Sequence, residues 1–106
     1  MTVVVLTKTG CGKCHAASDK LRRLRVMHLL VPMDNPGRTT IERPLMPGER
    51  PEGDWVSSQV EWRDTVASAA IARAAGQGFD ITKPPVLVID GTAYDYPGAM
   101  RVLKGM

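Results

Sequence analysis

The sequence predicts a single α/β domain spanning residues 1–106, and three patterns carry that prediction. The unbroken aliphatic run Thr2-Val3-Val4-Val5-Leu6 reads as a strand buried on both faces. Soon after it, Ala17, Leu21 and Leu24 recur at helical spacing, with Lys20, Arg22 and Arg23 on the other side. Near the C-terminus, Val86-Leu87-Val88-Ile89, Asp90-Gly91 and Thr92 to Asp95 read as a strand, a type I′ turn and a short return strand. At 106 residues, 43% hydrophobic and 24% charged, the chain is long enough to bury a core without disulfide staples.

In chain order, the first strand and helix lead to Val26–Pro32, a second Leu- and Val-rich strand that completes a compact parallel βαβ unit. Residues 34–54 break the pattern. Asn35-Pro36-Gly37, Pro44, Pro47-Gly48, Pro51 and Gly53 punctuate a polar stretch that predicts a long loop insertion. Ser58 and Glu61 form a capping-box pattern, and Trp62 is placed for a hydrophobic staple. Val60, Ala67, Ile71 and Ala74 then make a helical stripe that stops before Gly76 and Gly78. Pro97-Gly98 opens a last helix through Met100 and Leu103. The predicted order is β-α-β, loop, α-β-β-α.

The net charge is +3, unevenly spread. Residues 1–30 hold Lys8, Lys13, Lys20, Arg22, Arg23 and Arg25 against Asp19 alone, while the middle of the chain is acidic. A basic N-terminal third suits thiolates and acidic partners and is too small to argue for nucleic acid. No apolar stretch approaches the length of a membrane span. The start lacks the pattern of a secretory signal, so the expected setting is cytoplasmic, and the chain is expected to be a monomer.

Cys11 and Cys14 are the only cysteines, and Cys11-Gly12-Lys13-Cys14 falls between the first strand and the first helical pattern. Two thiols at this spacing can close into a disulfide ring or open to a dithiol, which makes the pair a two-electron switch. In the cytosol a lone C-x-x-C is more often catalytic or metal-binding than structural. Cys11 to His15 also spell C-x-x-C-H, the pattern of covalent haem attachment, and Met100 offers a candidate axial sulfur. Against a small c-type cytochrome stand the valine-rich strands and the absence of an export signal. Zinc lacks ligands, since only Cys11, Cys14, His15 and His28 could contribute. Trp55 and Trp62 are expected to be packing residues.

The element order and these motifs resemble the glutaredoxin-like branch of the thioredoxin-fold superfamily, over residues 2–33 and roughly 58–104. The resemblance implies a four-stranded mixed sheet with helices on both faces. It makes Cys11-Gly12-Lys13-Cys14 the redox loop, and Pro84-Pro85-Val86-Leu87-Val88-Ile89-Asp90-Gly91 the segment that carries a cis-proline. Counting back from Gly91 puts that proline at Pro85. Gly98 resembles the glycine that starts the family's last helix. The letters between the cysteines and around Tyr96-Pro97-Gly98-Ala99-Met100 depart from glutathione-dependent members and lean toward NrdH-type redoxins. Those resemble glutaredoxins but draw electrons from thioredoxin reductase and pass them to ribonucleotide reductase.

What this implies is a thiol–disulfide oxidoreductase that reduces protein disulfides, with the Cys11–Cys14 disulfide as its redox group and no other cofactor or metal. Cys11 would be the nucleophile, its thiolate favoured by helix N-terminal amides and by Lys8 and Lys13. Cys14 would resolve the mixed disulfide. Gly12 would leave room for the partner's sulfur. Pro84 and Pro85 would present backbone to an extended substrate, although Pro84 has no N–H to donate. Gly98 would offer amides to a carboxylate. The electron source would be thioredoxin reductase rather than glutathione. The alternative outside enzymology is a binding module that uses the 34–54 loop as its contact surface.

Overall fold

The computed structural model describes residues 1–46, 48, 54–61 and 66–105. Pro47, Pro51, Gly53 and Trp62, and with Trp62 the predicted staple, lie outside the described residues. Strand β1 (Val3–Thr7) leads to helix α1 (Gly12–Arg23) and strand β2 (His28–Pro32). A 3-10 turn (Pro36–Arg38), β3 (Thr40–Pro44) and β4 (Trp55–Gln59) follow. Helix α2 (Ala67–Gly76), β5 (Val86–Ile89), β6 (Thr92–Tyr94) and α3 (Tyr96–Lys104) complete the fold.

The six strands form one mixed sheet in the order β4-β3-β2-β1-β5-β6. Only β1 and β2 run parallel, as a βαβ crossover requires; every other neighbouring pair is antiparallel. Alternation along β1 explains why all its aliphatics are buried. Val4 and Leu6 pack with Val86, Val88 and the alanines of α2 on one face. Val3 and Val5 pack on the other with Leu87, Ile89, Leu21 of α1 and Leu103 of α3. Helices therefore cover both faces, and the central strands read as continuous apolar runs because neither face meets water.

Local chemistry accounts for the far end of α1 and for the turn between β5 and β6. Helix α1 buries Cys14, Ala17 and Leu21, a spacing of three and four residues, and carries Lys20, Arg22 and Arg23 in its last turn. It ends in a Schellman arrangement in which Arg25 takes the left-handed conformation (φ 57°). There the Arg25 amide donates to Arg22 O and the Val26 amide to Leu21 O. The Asp90-Gly91 turn has φ of 49° and 85°, the two positive values a type I′ hairpin demands.

Three expectations are corrected. The sheet has six strands rather than four, because the stretch read as a 34–54 loop contains β3 and, with the start of β4 just beyond it, folds back on the free edge of β2. Strand β3 is half-buried at every position, so Thr40-Ile41-Glu42-Arg43-Pro44 shows no apolar period, and its proline sits at the strand's last position, where a missing N–H costs little. Ser58 is not a helix cap: it pairs with Ile41 inside β4. Helix α2 instead begins at Ala67, and Val60 packs against the core from outside the helix.

Candidate functional site

The cysteines sit where β1 hands the chain to α1, beyond the C-terminal end of a parallel strand pair. A tight turn makes the handover: the Cys11 amide donates to Lys8 O at 3.1 Å, and Gly10 holds a positive φ of 77°. The Thr9 amide donates to Asp34 Oδ1 at 3.1 Å, and the Met33 amide to Thr7 O at 2.9 Å. The segment after β2 thus ties down the segment after β1. The Thr9 bonds hold the Asp34 carboxyl below the usual carboxylate range, with Lys8 adding to the effect. Asp34 is a site-forming residue that sequence reasoning missed; its position just past the end of β2 was the available signal.

Cys11 and Cys14 form a disulfide with their Cα atoms 5.3 Å apart. Cys11 is the N-cap of α1, and its Sγ accepts a hydrogen bond from the Cys14 amide at 3.2 Å. The two cysteines differ in burial. Cys11 is half-buried at the helix tip, whereas Cys14, one turn in, is only 3% exposed. Gly12 and Lys13 between them are exposed, and beyond its chain neighbours and its own helix backbone no atom stands within 4 Å of where a Gly12 Cβ would be.

Two hollows of about 280 Å³ each flank this turn and share Thr7 and Lys8 as a common wall. The first includes Cys14, His15, Ser18, Pro32, Arg38 and Thr40. The second includes Met33, Asp34, Ile81, Thr82 and Pro84. The structure therefore brings Lys8 together with Cys14 on one side and with Pro84 on the other. The Pro84–Pro85 peptide bond is cis. Because β1 and β5 pair with Leu6 opposite Val86, one further step of that register sets Pro85 alongside Thr7. Asp80 closes a turn just ahead of the prolines, accepting from the Thr82 hydroxyl and amide, and those bonds hold its carboxyl below the usual range.

Gly98 is placed differently from the expectation. It is buried in the first turn of α3, and its amide donates to Asp95 Oδ1, the helix cap, at 2.8 Å. It lines neither hollow at the cysteines, so its N–H is committed to Asp95 rather than open to a ligand carboxylate. Met100, the sulfur weighed for haem, packs in the apolar core beneath α3, while His15 is exposed on α1.

Behind the site, His28 of β2 is buried under α1. Its Nδ1 lies 2.9 Å from Val26 O, which can only accept, so that nitrogen carries the proton. Nε2, 3.0 Å from Ser18 Oγ, then accepts from the hydroxyl. Burial holds the His28 pKa below its ordinary value, outweighing the opposing effects of the Val26 carbonyl and the Glu42 charge. Trp55 of β4 leans on the His28 ring at 6.0 Å, with the Arg22 guanidinium 5.7 Å from its ring centre. Trp55 is thus a packing residue that seats the β3–β4 hairpin against α1.

Among the described residues no three His, Cys, Asp or Glu side chains are grouped to hold a metal ion, and no helix is long and apolar enough to cross a membrane. No family model, curated protein or solved structure matches the chain.

Proposed function

We propose that the protein is a thiol–disulfide oxidoreductase that reduces disulfides in partner proteins. One observation carries the reading: the chain's only two cysteines form a disulfide at the N-terminus of a helix, with Cys11 half-buried at the tip and Cys14 buried one turn in. In the reduced form, the Cys11 thiolate attacks one sulfur of a substrate disulfide. The Cys11–substrate bond forms, the substrate S–S bond breaks, and the released thiolate takes a proton. Cys14 then gives up its proton and attacks Cys11 Sγ, closing the Cys11–Cys14 bond and expelling the second substrate thiol. Two electrons pass from the protein dithiol to the substrate.

The Cys14 amide is oriented to stabilise negative charge on Cys11, and Lys8 and Lys13 add positive charge nearby. Four neighbouring strands, β2-β1-β5-β6, and the prolines beside the end of β1 agree with the glutaredoxin-like resemblance. The electron source in this reading is a flavoprotein disulfide reductase of the thioredoxin reductase kind. Pro84 has no N–H for a bound glutathione cysteinyl unit, and the Gly98 amide is already used by Asp95. Each hydrogen bond lost to a charged group weakens binding by roughly 1.5–3 kcal/mol.

Insulin reduction by the purified, pre-reduced protein tests the activity. Cys14→Ser should accumulate a mixed disulfide with its substrate, and Cys11→Ser should be inactive. Full turnover by the Cys11 variant refutes the assignment. Side-by-side NADPH-linked assays with the two electron sources test the second part, and faster turnover through glutathione overturns it.

A further inference from the structure

The hollow on the α1 side of the disulfide is cationic, and it owes one of its charges to the 3-10 turn that leads into β3. Its walls include Lys8, His15 and Arg38, with Cys14 among them and no acidic residue. The hollow on the proline side differs, because Asp34 stands there beside Lys8. Arg38 ends the 3-10 turn, which backbone and side-chain bonds fix. The Arg38 amide donates to Asn35 O at 3.0 Å, and the buried Thr39 hydroxyl donates to Pro36 O at 2.7 Å. From the far strand of the hairpin, Gln59 Nε2 donates to Gly37 O at 2.8 Å. Among the described residues the Arg38 guanidinium makes no ion pair.

We infer that Arg38 is a substrate-selecting residue: with Lys8, it receives the carboxylate of an acidic side chain flanking the disulfide of a peptide substrate. The inference rests on the redox reading of the cysteines. Cys14, bonded to Cys11, lines the cationic hollow, and Thr7 and Lys8 form the wall that this hollow shares with the proline-side one, so a peptide whose sulfur meets Cys11 can direct one flank toward each. An acidic flank gains from Lys8 and Arg38 on one side and meets Asp34 on the other, so charge favours acidic substrates and also sets the direction in which they lie. Gln59 is a positioning residue, acting through Gly37 to hold the turn that carries Arg38. Such pairs at an exposed rim are individually modest and screened by salt, so selectivity of a few-fold at low ionic strength is the expected scale.

The test uses pre-reduced full-length protein in single turnover against three synthetic peptides. Each contains one internal disulfide, and they are identical except that one residue flanking the disulfide is Glu, Gln or Lys, the residue on the other flank being neutral in all three. Wild type should oxidise fastest with the Glu peptide, about three- to tenfold faster than with the Gln peptide at low salt, with the Lys peptide slowest. Arg38→Gln should bring the Glu-to-Gln ratio toward one, Arg38→Lys should keep most of it, and 0.5 M salt should compress it in wild type. Gln59→Ala should lower the ratio too, and an unchanged ratio there overturns the positioning role. Equal wild-type rates for the three peptides, or a ratio untouched by Arg38→Gln, overturn the inference. If wild type reduces none of the peptides, the redox reading itself fails.

Discussion

Replacing Cys14 with serine leaves Cys11 as the only thiol while keeping the amide that points at it, so the reactivity of that thiol can be read alone. The Cys14 N–H lies 3.2 Å from Cys11 Sγ at the start of α1. A hydrogen bond to a charged acceptor is worth about 1.5–3 kcal/mol, which raises the thiolate-to-thiol ratio by about tenfold to hundredfold. Not all of that appears as rate. A less basic thiolate is a weaker nucleophile, with a Brønsted slope of about 0.4–0.5, so roughly half the gain on a logarithmic scale is returned. At pH 6, the folded variant should therefore react with a neutral disulfide such as 2-hydroxyethyl disulfide about three- to tenfold faster than the same chain unfolded in urea, both corrected for denaturant against a free-cysteine peptide. The Cys11→Ser variant should behave oppositely, with its 3%-exposed Cys14 slower folded than unfolded. Equal rates for folded and unfolded Cys14→Ser would show that the helix terminus does not activate Cys11, and the argument from geometry to nucleophile would fail.

Three further outcomes follow from the packing. Leu21, fully buried between α1 and the sheet, should cost about 2–5 kcal/mol as Leu21→Ala in urea unfolding; a loss under about 1 kcal/mol would mean that α1 is not seated as described. A Cβ on Gly98 would stand 2.8 Å from Asp95 Oδ1, so Gly98→Ala should disrupt the α3 cap at a cost of about 0.5–2 kcal/mol. Since Asp95→Ala removes the same bond, the double variant should be less destabilised than the sum of the singles, and simple additivity would argue against a shared cap. His28 is folded as the neutral ring with its pKa held below 6.5, so its contribution is fully present above pH 6.5 and lost as pH falls from there through the lower folded value. Urea midpoints of wild type should drop more between pH 7 and pH 5 than those of His28→Leu, and parallel profiles would remove His28 as the cause.

The parts of this fold that were legible in the sequence are those whose pattern is set by burial on both sides or by backbone geometry. β1 and β5 announce themselves because every residue of each faces a core layer, and Asp90-Gly91 because few other pairs tolerate two positive φ values. The Cys11–Cys14 turn was legible from its position between strand and helix, and the cis Pro84–Pro85 bond from the family resemblance, counted back from Gly91. The β3–β4 hairpin was hidden for the opposite reason. Its strands cover an edge and expose a face, their residues are half-buried or exposed, and prolines and glycines cluster between them. Gly98 was placed correctly at the start of a helix, yet its amide could not be assigned, because the capping role of Asp95 three residues earlier depends on a side-chain rotamer that spacing alone does not specify.

The hairpin also changes how the site is held. At the other end of the sheet, the edge strand β6 is closed by one side chain: Gln77 accepts from the Ala93 amide and donates to Gly91 O, both at 2.8 Å. At the β2 end, closure is made by a whole hairpin, and that hairpin reaches the surroundings of the disulfide by two routes. One passes through Gln59 to the 3-10 turn and Arg38. The other passes through Trp55 to His28 and Arg22, and from His28 to Ser18, one turn along α1 from Cys14. Ser18 and Arg38 line the same hollow as Cys14. An insertion that only covered a strand edge would need neither connection. Having both, it fixes the wall of the cavity and the helix that carries Cys14 with respect to one another, so in the proposed exchange the charge offered to a substrate and the sulfur that completes the reaction would be set by the same piece of structure.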